Sequence, residues 1–247
     1  MRSAKKNVLN LKPHNEKQLK ILVSIFVILQ IMNYLLMRFV AHTLFSYICV
    51  ITSCLFCILL SDGSKSYRYT QMAMIATVCA DFFLVFLPVQ LKVPGVLCFC
   101  VTQFAYFLRL YADDENRIRK IIHLILRITI SIAAFVLTIL VLGIRMDFLS
   151  LISVLYYANF ILNLLFSYIQ FKKMRILAIA FTLFIISDTL LGFDNLSGYL
   201  LIPRGSVIFL ITRVGCQFIM PLYLTAQILI PLSLFSRKRN ALKKENI

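Results

Sequence analysis

Polar residues crowd both ends of the chain and a few short intervals. Eight apolar runs fill the rest: Ile21–Met37, Leu44–Leu60, Tyr69–Leu87, Pro94–Leu108, Ile121–Leu142, Phe148–Ile169, Ile176–Leu191 and Val207–Phe235. A helix needs about 20 residues to cross the hydrocarbon layer of a bilayer, with a working range of about 17–25. The shorter runs reach that length by borrowing polar flanks. The pattern predicts an all-α fold, a polytopic integral membrane protein built as a bundle of eight transmembrane helices. A single transmembrane domain over residues 21–235 would lie between basic tails at 1–20 and 236–247. The last run is the longest and contains Pro221 and Pro231, which predicts tilt or a kink. Connections are short, so consecutive helices are expected to pack as antiparallel neighbours.

Eight crossings define two sides, and Lys and Arg fall on them unevenly. One side collects 20 basic residues, from the N-terminal tail, the loops at Lys65–Arg68, Arg109–Lys120 and Lys172–Arg175, and the C-terminal segment. The other holds four, Arg38, Lys92, Arg145 and Arg204, which leaves Arg127 and Arg213 inside runs. Basic residues accumulate on the cytoplasmic side of membrane proteins, so both termini are expected in the cytoplasm. In a soluble chain a net charge of +16 would suggest nucleic acid. Here the charges border apolar segments, so the expected partner is the lipid bilayer and no nucleic acid is implied.

Composition supports the same class. The chain is 61% hydrophobic and 15% charged, against about 45–50% and 25% for soluble domains. The seven cysteines all fall within apolar runs and read as small buried thiols. Cys54 and Cys57 have CxxC spacing without the second pair or spaced His that a metal site requires. His14, His42 and His123 fall in tails, loops or helix ends, so neither a metal nor a cofactor is implied. The basic N-terminal segment is followed by a run too long for a signal-peptide core and lacking a small-residue cleavage site, which predicts a retained first helix.

Two runs carry a carboxylate, Asp81 in the third and Asp188 in the seventh. Placing an Asp at the centre of a membrane helix costs about 2.5–3.5 kcal/mol, and such residues are usually functional. At 1.5 Å per residue, Asp81 lies roughly 15–18 Å and Asp188 roughly 18–20 Å from the basic side. Arg213 enters from the other side and is expected at a comparable level, while Arg127 is expected to snorkel to the basic side. Arg213, Gln217 and Gln227 share one face of the last helix, with Tyr223 at its edge. Ser153, Tyr156, Asn159 and Asn163 form a stripe on the sixth, Gln103 and Tyr106 mark the fourth, and Gln30 and Asn33 mark the first. Lipid tolerates few such groups, so these faces should point inward, either to bond one another or to line a shared cavity.

Several of these segments follow a known order. Cys79-Ala80-Asp81-Phe82-Phe83-Leu84 is followed by Thr102-Gln103-Phe104-Ala105-Tyr106, then Phe184-Ile185-Ile186-Ser187-Asp188-Thr189, and finally Tyr223-Leu224-Thr225-Ala226-Gln227. Over roughly residues 70–232 the chain resembles the YhhN/lysoplasmalogenase family of eight-helix membrane proteins. The first two helices match only in being apolar. The family pattern has Gly-Asp in the third helix, a His before a Tyr in the fourth, Ser-Asp in the seventh and Tyr-x-x-Ala-Gln in the last. Tyr156 also stands where the family carries a Tyr. Ala80 replaces the family's Gly, and Gln103 stands where the His is expected.

The resemblance implies hydrolysis of the vinyl-ether bond of lysoplasmalogens to a fatty aldehyde and a glycerophospholipid. That reaction needs one protonated carboxyl to protonate the alkenyl carbon and one carboxylate to steady the cation or activate water, the division of labour found in glycosidases. Asp81 and Asp188 are the candidate catalytic pair. Arg213, Tyr106, Gln103, Tyr156, Asn159, Gln217, Tyr223 and Gln227 are candidates for holding a lysophospholipid substrate. Two other readings stay open: an ion-coupled transporter using the same acids, and a non-catalytic membrane protein whose acids only pair with Arg213.

Overall fold

The structure, a computed structural model, describes residues 16–245 apart from 62, 89–91, 113, 115, 143–146 and 197–205. His14, Arg145, Arg204 and most of the N-terminal basic tail lie outside the described residues. Within them the chain forms α1 (Glu16–Phe39), α2 (His42–Leu59), α3 (Lys65–Phe86), α4 (Lys92–Leu110), α5 (Arg117–Leu142), α6 (Phe148–Ile169), α7 (Phe171–Leu196) and α8 (Val207–Glu245). All eight contain a stretch long and apolar enough to cross a bilayer. In lipid a helix satisfies its own backbone polar groups, so an apolar run of this length has little choice.

Local chemistry sets several boundaries. Asp147 caps α6 by accepting the Ser150 backbone N–H at 2.8 Å, and the Asn116 side chain accepts the Arg119 N–H at 3.1 Å ahead of α5. Gly63, with φ of +85°, makes the turn between α2 and α3 in a conformation that few other residues adopt. One boundary shifts: the helix of the last run continues past Phe235 to Glu245, with Pro221 and Pro231 inside one continuous helix. Non-helical backbone falls at Met174, in the first turn of α7 beside the tight α6–α7 connection.

Helices α2, α3, α4, α6, α7 and α8 close into a ring, with α8 packing on both α7 and α2. Helix α1 lies outside against α2 and α8, and α5 lies outside against α6. The expected packing of sequential neighbours therefore fails at one place: α4 packs on α6, and α5 is displaced to the periphery. The sequence of α5 explains this. Ile118, Ile125, Ile132, Leu137 and Leu140 are exposed on it, a surface suited to lipid on nearly every side.

The core is aromatic. Phe160, Phe181, Phe184 and Tyr106, from α6, α7 and α4, are fully buried, and Phe160 meets Phe184 edge-to-face at 4.8 Å. Polar side chains tie the outer layers together. Gln30 donates to Thr52 at 2.8 Å and to Ser53 at 3.0 Å, holding α1 to α2. Thr77 and Thr102 join α3 to α4 at 3.3 Å. Contacts of this kind are worth about 0.6 kcal/mol each inside membranes, enough to set register when several act together.

Candidate active site

The third and seventh helices run in the same direction, so their late residues lie at the same end of the ring. Asp81 is five residues before the end of α3, and Asp188 is eight before the end of α7. Both therefore lie toward the surface opposite the chain termini. Close backbone approach brings their helices into the ring. A Cβ on Gly95 of α4 would stand 3.1 Å from the Ala80 carbonyl oxygen and 2.8 Å from Leu84 Cγ, so the α3–α4 contact beside Asp81 depends on a glycine. A Cβ on Gly215 would likewise meet Leu190 Cδ2 at 2.6 Å, two residues past Asp188.

Each acid receives a phenol. Tyr223 of α8 donates its hydroxyl to Asp81 Oδ2 at 2.6 Å, and Tyr156 of α6 donates to Asp188 Oδ2. Phe184 meets both Tyr223 and Phe99, and Phe99 meets Tyr156, so one aromatic cluster joins the two tyrosine-bonded carboxyls. Asp81 is buried and Asp188 half-buried. The residues flanking Asp188 fix it further: Ser187 donates to the Ile219 carbonyl of α8 at 2.8 Å, and Thr189 bonds the Tyr157 hydroxyl of α6. Three consecutive residues thus reach two other helices. Phe184 and Phe99 fill the space between the tyrosines, with Phe184 at 5.2 Å from Tyr223 and Phe99 at 5.5 Å from Tyr156.

The remaining candidate residues divide. Gln103 is fully buried behind Tyr156, and its carboxamide faces that hydroxyl while accepting from Asn163 at 2.8 Å. Gln227 is buried one turn from Tyr223 with neither amide atom hydrogen-bonded. Tyr106 lies deeper, its ring 4.9 Å from Phe181 and its hydroxyl on Met74 Sδ, away from the acids. Asn159 turns toward α5, donating to Ser131 at 3.0 Å and accepting from Arg127.

Arg213 and Gln217 are exposed, contrary to the expectation that they face inward with Tyr223 and Gln227. The buried stripe of α8 runs through Ala226, Gln227, Ile230 and Leu234, with the half-buried Tyr223 in line with it. At about 100° per residue, Arg213 and Gln217 stand roughly a third of a turn from that stripe. Arg213 is the seventh residue of α8, and from there a long guanidinium side chain can extend toward the interface without a counter-ion. Among the described residues it pairs with no carboxylate, so the acids are not held as an Arg213 salt bridge.

Arg127 also departs from its expected place. It is 4% exposed rather than snorkelling, and its guanidinium lies over the Phe107 ring at 4.4 Å, bonded to Asn163 Oδ1 at 2.5 Å. A cation ten residues into α5, alone among the apolar residues that follow the basic first turn, was the available signal.

Among the described residues no three His, Cys, Asp or Glu side chains converge. Eight membrane-crossing helices and a carboxyl pair bridged to facing helices by tyrosines define a class, a polytopic membrane protein with an intramembrane acid pair. The chain matches the YhhN family over residues 37–234, most of its length, and belongs to that family. The match begins ahead of α2, so the family relationship extends further toward the N-terminus than the quoted segments reach. No curated protein and no solved structure matches the chain.

Proposed function

We propose that this protein is a membrane-embedded hydrolase that cleaves the vinyl-ether bond of lysoplasmalogens. The observation that carries the reading is that Asp81 and Asp188 each accept a tyrosine hydroxyl from a facing helix, with Phe99 and Phe184 in contact between the two tyrosines. Membership of the YhhN family supports a hydrolase-type activity.

The chemistry follows from two carboxyls. One, protonated, gives its proton to the alkenyl carbon distal to the ether oxygen, and the carbon next to oxygen becomes an oxocarbenium ion. The other, ionised, takes a proton from water as that water bonds to the cationic carbon, producing a hemiacetal. In the collapse the first carboxylate removes the hemiacetal O–H proton while the second carboxylic acid protonates the departing glyceryl oxygen. Aldehyde and glycerophospholipid leave, one water is consumed and both carboxyls return to their starting states. Proton transfer by positioned carboxyls of this kind contributes about 10²–10⁴-fold.

The aromatic surfaces of Phe99 and Phe184 beside the acids suit the alkenyl chain. Arg213, exposed within the first two turns of α8, suits a lipid phosphate. With both termini assigned to the cytoplasm by the basic-residue bias, the acids lie nearer the opposite leaflet. The test is a hydrolysis assay with purified protein and matched vinyl-ether, alkyl-ether and ester lysolipids. Aldehyde should appear from the vinyl ether alone; cleavage of the ester in its place, or of none of the three, rules the proposal out.

A further inference from the structure

The two acids are alike in accepting a tyrosine hydroxyl, and they differ in what stands behind that tyrosine. Behind Tyr156 runs a chain of polar side chains that ends on a cation. Arg127 donates to Asn163 Oδ1 at 2.5 Å. Asn163 Nδ2 donates to both the Gln103 carbonyl and Gln103 Oε1 at 2.8 Å. Gln103 Nε2 makes no hydrogen bond and is the donor left over beside Tyr156, and Tyr156 donates to Asp188. Asn163, Gln103 and Arg127 are all buried, the first two completely.

Arginine has donors only, so it fixes the direction of every group after it. Asn163 must turn its oxygen to Arg127 and its nitrogen to Gln103. Gln103 must then turn its oxygen to Asn163 and its nitrogen to Tyr156, which leaves the Tyr156 proton for Asp188. Each donor in the series points toward Asp188, and aligned hydrogen bonds in a low-dielectric interior polarise one another. The charge of Arg127 has no carboxylate beside it; amide oxygens and the Phe107 and Phe166 rings hold it. Behind Tyr223 there is no such series. Among the described residues no donor reaches its hydroxyl, and Gln227, one turn away, leaves both amide atoms unbonded.

We infer that Arg127, Asn163 and Gln103 are positioning residues that fix the negative charge of the pair on Asp188, so that Asp81 is the proton-donating acid and Asp188 the carboxylate that activates water. The assignment rests on the hydrolase reading for its catalytic meaning, while the charge arrangement stands on the contacts alone. An amide relays polarity but cannot pass a proton, so Gln103 orients Tyr156 without opening a path from Arg127.

Infrared spectroscopy of the purified protein in bilayers at neutral pH tests the arrangement without any substrate. The native protein should show the carbonyl stretch of one buried protonated carboxyl. Asp81→Asn should remove it and Asp188→Asn should leave it. Asn163→Leu and Arg127→Met, which replace the relay with apolar atoms of similar size, should each add a second protonated-carboxyl band as Asp188 takes up a proton. Arg127→Lys, which keeps the charge, should preserve the single band. Loss of the band in Asp188→Asn with retention in Asp81→Asn overturns the assignment, as does an unchanged spectrum in Arg127→Met and Asn163→Leu. Because no lipid is turned over, a protein with the expected spectra and no aldehyde release refutes the hydrolase reading alone.

Discussion

Tyr223 of α8 donates its hydroxyl proton across the ring to Asp81 of α3 at 2.6 Å. At the other end of the same two helices Tyr67 of α3 returns the arrangement, donating to the Leu234 carbonyl of α8 at 3.1 Å. Helices α3 and α8 touch only slightly otherwise, so two tyrosines tie them together near both ends. The upper one also holds the carboxyl on which the proposed chemistry turns.

Replacing either acid by its amide keeps the shape and removes the titrating group. Asp81→Asn and Asp188→Asn should each lower aldehyde release by at least about 10²-fold, the lower end of what a positioned acid or base contributes. Both proteins should remain folded and extractable. Release that survives both changes excludes the acid pair as the catalyst.

The tyrosines should respond unequally. A hydrogen bond to an ionised group is worth about 1.5–3 kcal/mol and one between neutral groups about 0.5–1.5 kcal/mol. With the charge on Asp188, Tyr156→Phe should reduce kcat by roughly 10- to 100-fold and Tyr223→Phe by no more than about tenfold. Steady-state kinetics of the two variants decides the matter, and equal losses would contradict the assigned charge.

Gln103 sits at the last step before Tyr156, and Gln103→His would place a titratable ring there. Histidine changes charge between about pH 5 and 8. The variant should keep activity on the side of that transition where its nitrogen still donates to Tyr156, and should gain a limb in its pH–rate profile that the native protein lacks. A profile identical to the native one would place Gln103 out of contact with the reacting groups.

Arg213 is exposed, so its removal should leave the fold intact. If it holds the lipid phosphate, Arg213→Gln should raise KM several-fold with kcat unchanged, since an exposed charge pair is worth about 0–1 kcal/mol. A fall in kcat at constant KM would move Arg213 into the chemistry instead.

The two close-approach glycines should also separate. At Gly215 the obstacle is the end of a flexible Leu190 side chain, so Gly215→Ala should be nearly neutral and gain the helix preference of alanine. At Gly95 the added Cβ meets the Ala80 carbonyl oxygen and the branch point of Leu84. Gly95→Ala should destabilise the protein by about 1–3 kcal/mol before that same gain is counted, and displace Asp81. Thermal unfolding in detergent alongside the hydrolysis assay reads both effects.

The periodicity and length of the apolar runs were enough to fix eight crossings, because a chain without water around it can satisfy its backbone in few other ways. The same reasoning singled out Asp81 and Asp188, since a carboxylate in hydrocarbon is too costly to be incidental. The order of short motifs then identified the family. What the linear chain could not supply was the rotation of each helix about its own axis. Arg213 and Gln217 share a sequence face with Gln227, yet packing turned them outward. Arg127 looked free to reach the basic surface, yet the displacement of α5 onto α6 delivered it to Asn163 and Phe107. Depth along a membrane helix follows from counting residues. Orientation depends on neighbours that are distant in sequence, and the polar series from Arg127 to Asp188 draws on α5, α6, α4 and α7 together, so only the assembled bundle could bring it into being.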